Sequence, residues 1–205
     1  MRRISRWLAG WGVAAVLLAG GSGCTLPSLN APGGRLRVIS PAGQGVDAQF
    51  NFATGYYSYD DANTLTAVLF DGPEEQPRAA LTVRMFWQPR AARTPIDPSA
   101  TNATLHLVIF SESDPSAVAI FSGAGFLYPY DEPGTAQLQG GVWEANLRLA
   151  DASESYNDPF GQALIEGRFT AQFDRAATER HLHHLRVLVH ERLGRPRFVM
   201  HVNRE

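Results

Sequence analysis

Residues 81–87 read Leu81-Thr82-Val83-Arg84-Met85-Phe86-Trp87, with apolar side chains at 81, 83, 85 and 87 and Thr82 and Arg84 between them. Side chains of an extended chain alternate between two faces, so this spacing predicts a strand with one face on a core and the other toward water. Trp143-Glu144-Ala145-Asn146-Leu147-Arg148-Leu149 and Phe169-Thr170-Ala171-Gln172-Phe173 repeat the alternation. Residues 64–70 and 103–112 are more uniformly apolar and read as central strands covered on both faces. Pro-, Gly- and Asp-rich stretches at 71–78, 88–102, 113–116 and 131–134 supply turns. About eight such strands predict a mainly β fold, an antiparallel β-sandwich.

The C-terminal region changes period. Leu182, Leu185, Leu188, Val189 and Leu193 share one face at 3.6-residue spacing. Asp174 is a suitable N-cap, and Gly194 and Pro196 supply a stop. The spacing predicts an amphipathic helix over 175–193 lying against the sandwich. A hairpin is the competing reading, since Leu185, Val187 and Val189 also alternate and Phe198, Met200 and Val202 could answer them. A shift of 71 residues aligns 35–64 with 106–135 at nine identities, including Phe50/Phe121, Tyr57/Tyr128, Tyr59/Tyr130, Asp60/Asp131 and Thr64/Thr135. Either a duplicated unit or convergence of strand-turn-strand segments accounts for it.

The first 24 residues carry a different signal. Arg2, Arg3 and Arg6 form a basic head, Trp7 to Gly20 is an uncharged apolar run, and Gly21-Ser22-Gly23 precede Cys24, the one cysteine of the chain. This is a secretory pattern, too short and wrongly flanked for a spanning helix. With the cysteine at the exit it resembles the signal peptide of bacterial lipoprotein precursors, although Gly21 stands where that family usually has Leu. The resemblance covers residues 1–24. It implies cleavage before Cys24 and acylation of its thiol and new amino group. Thr25, where family members retained at the inner membrane often have Asp, implies the outer membrane. The expected organisation is a leader at 1–23, the lipidated cysteine and a flexible tether at 24–34, and one domain at 35–205. Two or three acyl chains anchor durably where one binds weakly.

Composition narrows the function. All eighteen basic residues are Arg, which excludes chemistry that needs a lysine amine. Loss of the leader takes the formal charge from −2 to −5, which disfavours nucleic acid as a partner. Acylation of Cys24 would leave no thiol for a disulfide. Residues 25–173 are acidic, whereas 174–205 are Arg-rich and hold five of the six His.

Two acidic turns, Tyr59-Asp60-Asp61 and Tyr130-Asp131-Glu132, are the best site candidates. Paired carboxylates can hold a hard cation or act as acid and base. The plain alternative is that Asp opens each turn, Asn63 or Gly134 completes it, and Tyr57, Tyr59, Tyr128 and Tyr130 pack across strands. Tyr56, Tyr57, Tyr59, Trp87, Tyr128 and Tyr130 would form a saccharide-stacking platform if they shared a face. His181, His183, His184 and His190 lack the spacing of a zinc-protease helix, and no cofactor is expected. Ser122 lacks the glycine context of a nucleophile elbow. Asn102-Ala103-Thr104 matches a glycan acceptor formally.

The expected role is that of a lipid-anchored envelope protein that binds or scaffolds, with an envelope protein or a saccharide as partner besides the membrane. The alternative is a polysaccharide hydrolase using a pair among Asp60, Asp61, Asp131 and Glu132, whose carboxylates should then face each other across a cleft.

Overall fold

A computed structural model describes residues 33–40, 46–61, 63–89 and 100–196. Cys24 and the leader lie outside the described residues, as do the strand partners 198–202 of the hairpin reading. Nine strands run in order: β1 Gly33–Ile39, β2 Asp47–Phe52, β3 Thr54–Tyr59, β4 Leu65–Asp71, β5 Ala79–Met85, β6 Ala103–Phe110, β7 Val118–Pro129, β8 Gln137–Ala152 and β9 Gln162–Phe173. The helix α1, Arg175–Leu193, follows. The first strand begins at Gly33, two residues inside the stretch read as tether.

The mainly β fold with antiparallel strands and a C-terminal helix is what this chain adopts, and the expected layers belong to one continuous sheet. Consecutive strands from β3 to β9 pair antiparallel. One edge of β9 takes β8. Its other edge takes β1 along 164–170 and then, in parallel, the end of β3 at Gln172 and Phe173. The hydrogen bonds of β3 to β9 therefore run full circle, which leaves no free edge within that ring, while β2, paired with β1 alone, ends the sheet. β2 pairs with β1 and β3 with β4, so these two segments act as one strand bent at Ala53. The Ala53 amide donates to the Phe70 carbonyl and keeps the bend stitched to β4.

Alternation fills the inside. Leu36, Phe50, Tyr57, Leu69, Leu81, Leu105, Phe121, Leu147, Ile165 and Phe169 belong to one buried apolar cluster. A second cluster lies outside the ring, where Leu182, Leu185 and Val189 of α1 cover Val68, Phe70, Ala80, Val108, Phe110, Val118 and Ile120. Strands β4 and β6 are thus sandwiched between interior and helix, which accounts for their uniformly apolar sequences. The helix has the expected bounds: the Asp174 carboxylate accepts from Ala177 N at 2.8 Å, and Gly194 closes the far end at φ 67°. At Asp174 the carboxylate satisfies an amide the helix leaves without a partner, and at Gly194 a residue without Cβ takes the left-handed cap.

Several sequence expectations need correction: Thr82, placed toward water by the alternation, is fully buried, and Phe173, placed on the core face, is exposed. Trp143 and Leu149 read as core positions but are exposed, whereas Ala145 and Leu147 between them are buried. The β8 ladders shift register between Val142 and Ala145, where Glu144 takes φ 46°, and again near Leu149. An extra residue in a strand reverses the facing of what lies beyond it. The same effect separates the echoed segments. Phe50 and Phe121 both point inward, but the bend at Ala53 turns Tyr57 into the core while Tyr128, on unbroken β7, faces out.

Candidate functional site

Strand direction gathers both acidic turns at one end. β3, β5, β7 and β9 finish there, and β1, β4, β6 and β8 begin there, so residues 60, 61, 63 and 64, residues 130–136 and the start of α1 are neighbours. The Tyr57 hydroxyl donates to the Thr135 carbonyl and accepts from Gly134 N at 3.1 Å. Gly134, at φ 102°, leaves room for Tyr59, whose oxygen would sit 2.9 Å from a Cβ there. Phe173 packs against both Tyr57 and Tyr59 with ring centroids 5.4 Å apart.

The carboxylates themselves hold turns together. Asp61 Oδ1 accepts from Asn63 N at 2.7 Å and Thr64 N at 2.8 Å, and these amides hold its carboxyl below the ordinary range. Asp131 Oδ2 accepts from Gln139 N at 2.8 Å. Thr135 donates its amide to the Glu132 carbonyl at 3.3 Å. Asp60 lies 3.9 Å from the Arg175 guanidinium, which also donates to the Tyr59 carbonyl at 2.8 Å.

The six aromatic residues do not share a face. Tyr57 is in the core. Tyr56 points outward under α1, stacked on His181 at 4.9 Å, and its hydroxyl meets Glu74 at 3.0 Å. Burial, reinforced by Glu74, raises the Tyr56 phenol above its usual range. Tyr128 and Tyr130, 5.7 Å apart, are about two-fifths exposed on the opposite flank. What the residue pattern alone did not show is their company. Trp143 stands opposite Phe126 in the β7–β8 ladder and is 47 % exposed, while Trp87 packs edge-on against Phe126 at 5.8 Å. The Arg168 guanidinium sits 5.5 Å over the Tyr130 ring. Beneath them Gly141 leaves space that the Tyr130 hydroxyl and the Trp143 indole nitrogen occupy, 2.6 and 3.0 Å from where its Cβ would be. The parity reversal near Glu144 hid Trp143 from the period-two pattern.

The helix histidines are spoken for differently. His181 Nε2 pairs with Glu74 at 3.0 Å, and His184 Nε2 lies 3.3 Å from the Glu75 carbonyl, both fastening α1 to the β4–β5 turn. Among the described residues no three His, Cys, Asp or Glu side chains gather as a metal site. Asn102 is buried, its Nδ2 donating to the carbonyls of Leu127 at 2.8 Å and Trp87 at 3.2 Å, so its amide serves the core and is not presented to a glycosylating enzyme. His106 Nδ1 and Ser122 Oγ are 2.7 Å apart on adjacent strands, a base-to-hydroxyl distance that no local sequence motif signals. At the other end of the ring a cleft of about 450 Å³ is lined by Asp71, Arg78, Phe110, Glu112 and Arg192 among others, with Arg78 bonded to Asp71 at 2.6 Å. The His106–Ser122 pair does not line that cleft.

Comparison with protein-family models, curated proteins and solved structures finds no match for this chain.

Proposed function

We propose that this chain is a lipid-anchored cell-envelope protein with a binding or structural role, held through acyl groups on Cys24 at the outer membrane. The leader, the cysteine at its exit and the short uncharged stretch before Gly33 support the anchoring. Besides the membrane, its partner is an envelope protein or a saccharide.

One observation carries a binding over a catalytic reading. The two acidic turns do meet, as a hydrolase would require, but Asp61 and Asp131 are already committed to backbone amides. A carboxylate that closes its own turn is poorly placed to shuttle protons for a substrate. The exposed aromatics beside those turns favour contact instead: contiguous apolar surface of this kind marks interaction sites.

Mass spectrometry of the mature protein tests the anchor, with acyl mass on an N-terminal Cys24 expected and an intact leader or unmodified sulfur overturning it. Release of sugars from envelope polysaccharide, abolished by Glu132→Gln with the fold intact, would replace binding by hydrolysis.

A further inference from the structure

The flank of exposed aromatics lies where the chain enters the domain. Gly33 pairs with Thr170, and the next outward position, Arg35, pairs with Arg168. Arg168 pairs in turn with Gly141, and Gly141 with Tyr128. Arg35, Arg168 and Tyr128 therefore form one row across β1, β9, β8 and β7, with Tyr130 and Trp143 beside it. We propose that this flank rests on the phospholipid headgroup layer of the membrane that holds Cys24. The proposal rests on the anchoring reading and names what the aromatic surface touches.

Three observations carry it. Eight residues separate Cys24 from Gly33, a reach of at most roughly 30 Å when extended. β9 alone, with 12 residues, is about 40 Å long, so the tether cannot lift the entry side far from the lipid. The residue types suit that boundary: Tyr and Trp place an apolar ring and a polar edge at the headgroup level, and Arg meets lipid phosphates. Finally, α1 covers the outer face of β4 to β7, leaving the β7–β9 flank uncovered by the helix. The contact is a surface one, since this ring is apolar within and carries Arg35, Arg37, Arg148 and Glu166 outside, the inverse of a spanning barrel. The cleft at the other end stays open to a partner.

The mature chain has two tryptophans, Trp87 and Trp143, so Trp87→Phe leaves Trp143 as the reporter. The acylated protein, its mass verified, is placed in phosphatidylcholine vesicles with or without phosphatidylglycerol. Spin-labelled lipid with a shallow label is expected to quench Trp143 at least about two-fold, and aqueous iodide to quench it weakly. Tyr130→Ser with Arg168→Glu should reverse that preference with an unchanged circular dichroism spectrum. Acylated protein whose Trp143 is open to iodide and untouched by labelled lipid overturns this proposal alone. Shielding that appears only on adding digested peptidoglycan also overturns it, assigning the flank to saccharide. A mass without acyl groups removes the anchor, and this proposal with it.

Discussion

Gly134 donates its amide to the Tyr57 hydroxyl at 3.1 Å, across 77 residues of chain. A core tyrosine on the bent strand thereby ties the β7–β8 turn to β3, the strand that leads into the other acidic turn. Tyr57→Phe removes the bond to Gly134 and the one to Thr135 while keeping the ring. It should cost about 1–3 kcal/mol, read from the urea midpoint, because a partly buried amide and carbonyl lose their partner. An unchanged midpoint would show that water replaces the hydroxyl.

The seam between α1 and the outer face is the second support of the fold. Leu185 is fully buried there, and Leu185→Ala should destabilise by about 2–5 kcal/mol. Asp174→Ala, which removes the cap without touching the seam, should cost about 1 kcal/mol. Comparable losses for the two variants would contradict the packing described.

Gly123 faces the β8 backbone so closely that a Cβ would stand 1.7 Å from the Asn146 carbonyl oxygen. Backbone cannot yield as a flexible side chain does, so Gly123→Ala should prevent β7 and β8 from pairing. Loss of soluble folded protein on gel filtration is expected, whereas Gly161→Ala, with open space around it, should fold despite its φ of 64°.

Stability should fall on mild acidification. Burial pushes the His106 imidazole below its ordinary range, and burial also lowers His181 although the Glu74 carboxylate opposes it. The unfolded chain takes up protons near pH 6.5 while the folded one resists, so stability is full above that pH and declines as pH drops through it toward the depressed folded values. Each histidine contributes at most about 1.4 kcal/mol per pH unit. Urea midpoints at pH 7.5 and 5.5 should differ, and His106→Gln should narrow the gap. The lowered carboxyls of Asp47, Asp61 and Asp114 act further down, below the ordinary carboxylate range.

The acidic and aromatic turns illustrate how far residue order reaches. Their composition marked them as turns, and Asp61 and Asp131 each open one by accepting from nearby amides, which is local chemistry. That they meet at one end, and that Tyr57 is the bolt between them, depends on ring closure through β9, a contact across more than a hundred residues. Two-residue alternation places Trp143 in the core because it assumes an unbroken strand, and a bulge cannot be read from polarity.

By itself the sequence determined the strand-rich class and marked the caps of α1 while leaving a hairpin open there, since period, capping and turn chemistry act between residues close along the chain. Only the tertiary structure decided that the sheet closes, which face each tyrosine takes, and that Arg168, Tyr130 and Trp143 share a flank. Those outcomes follow from register between distant strands, where one inserted residue turns a side chain from core to surface.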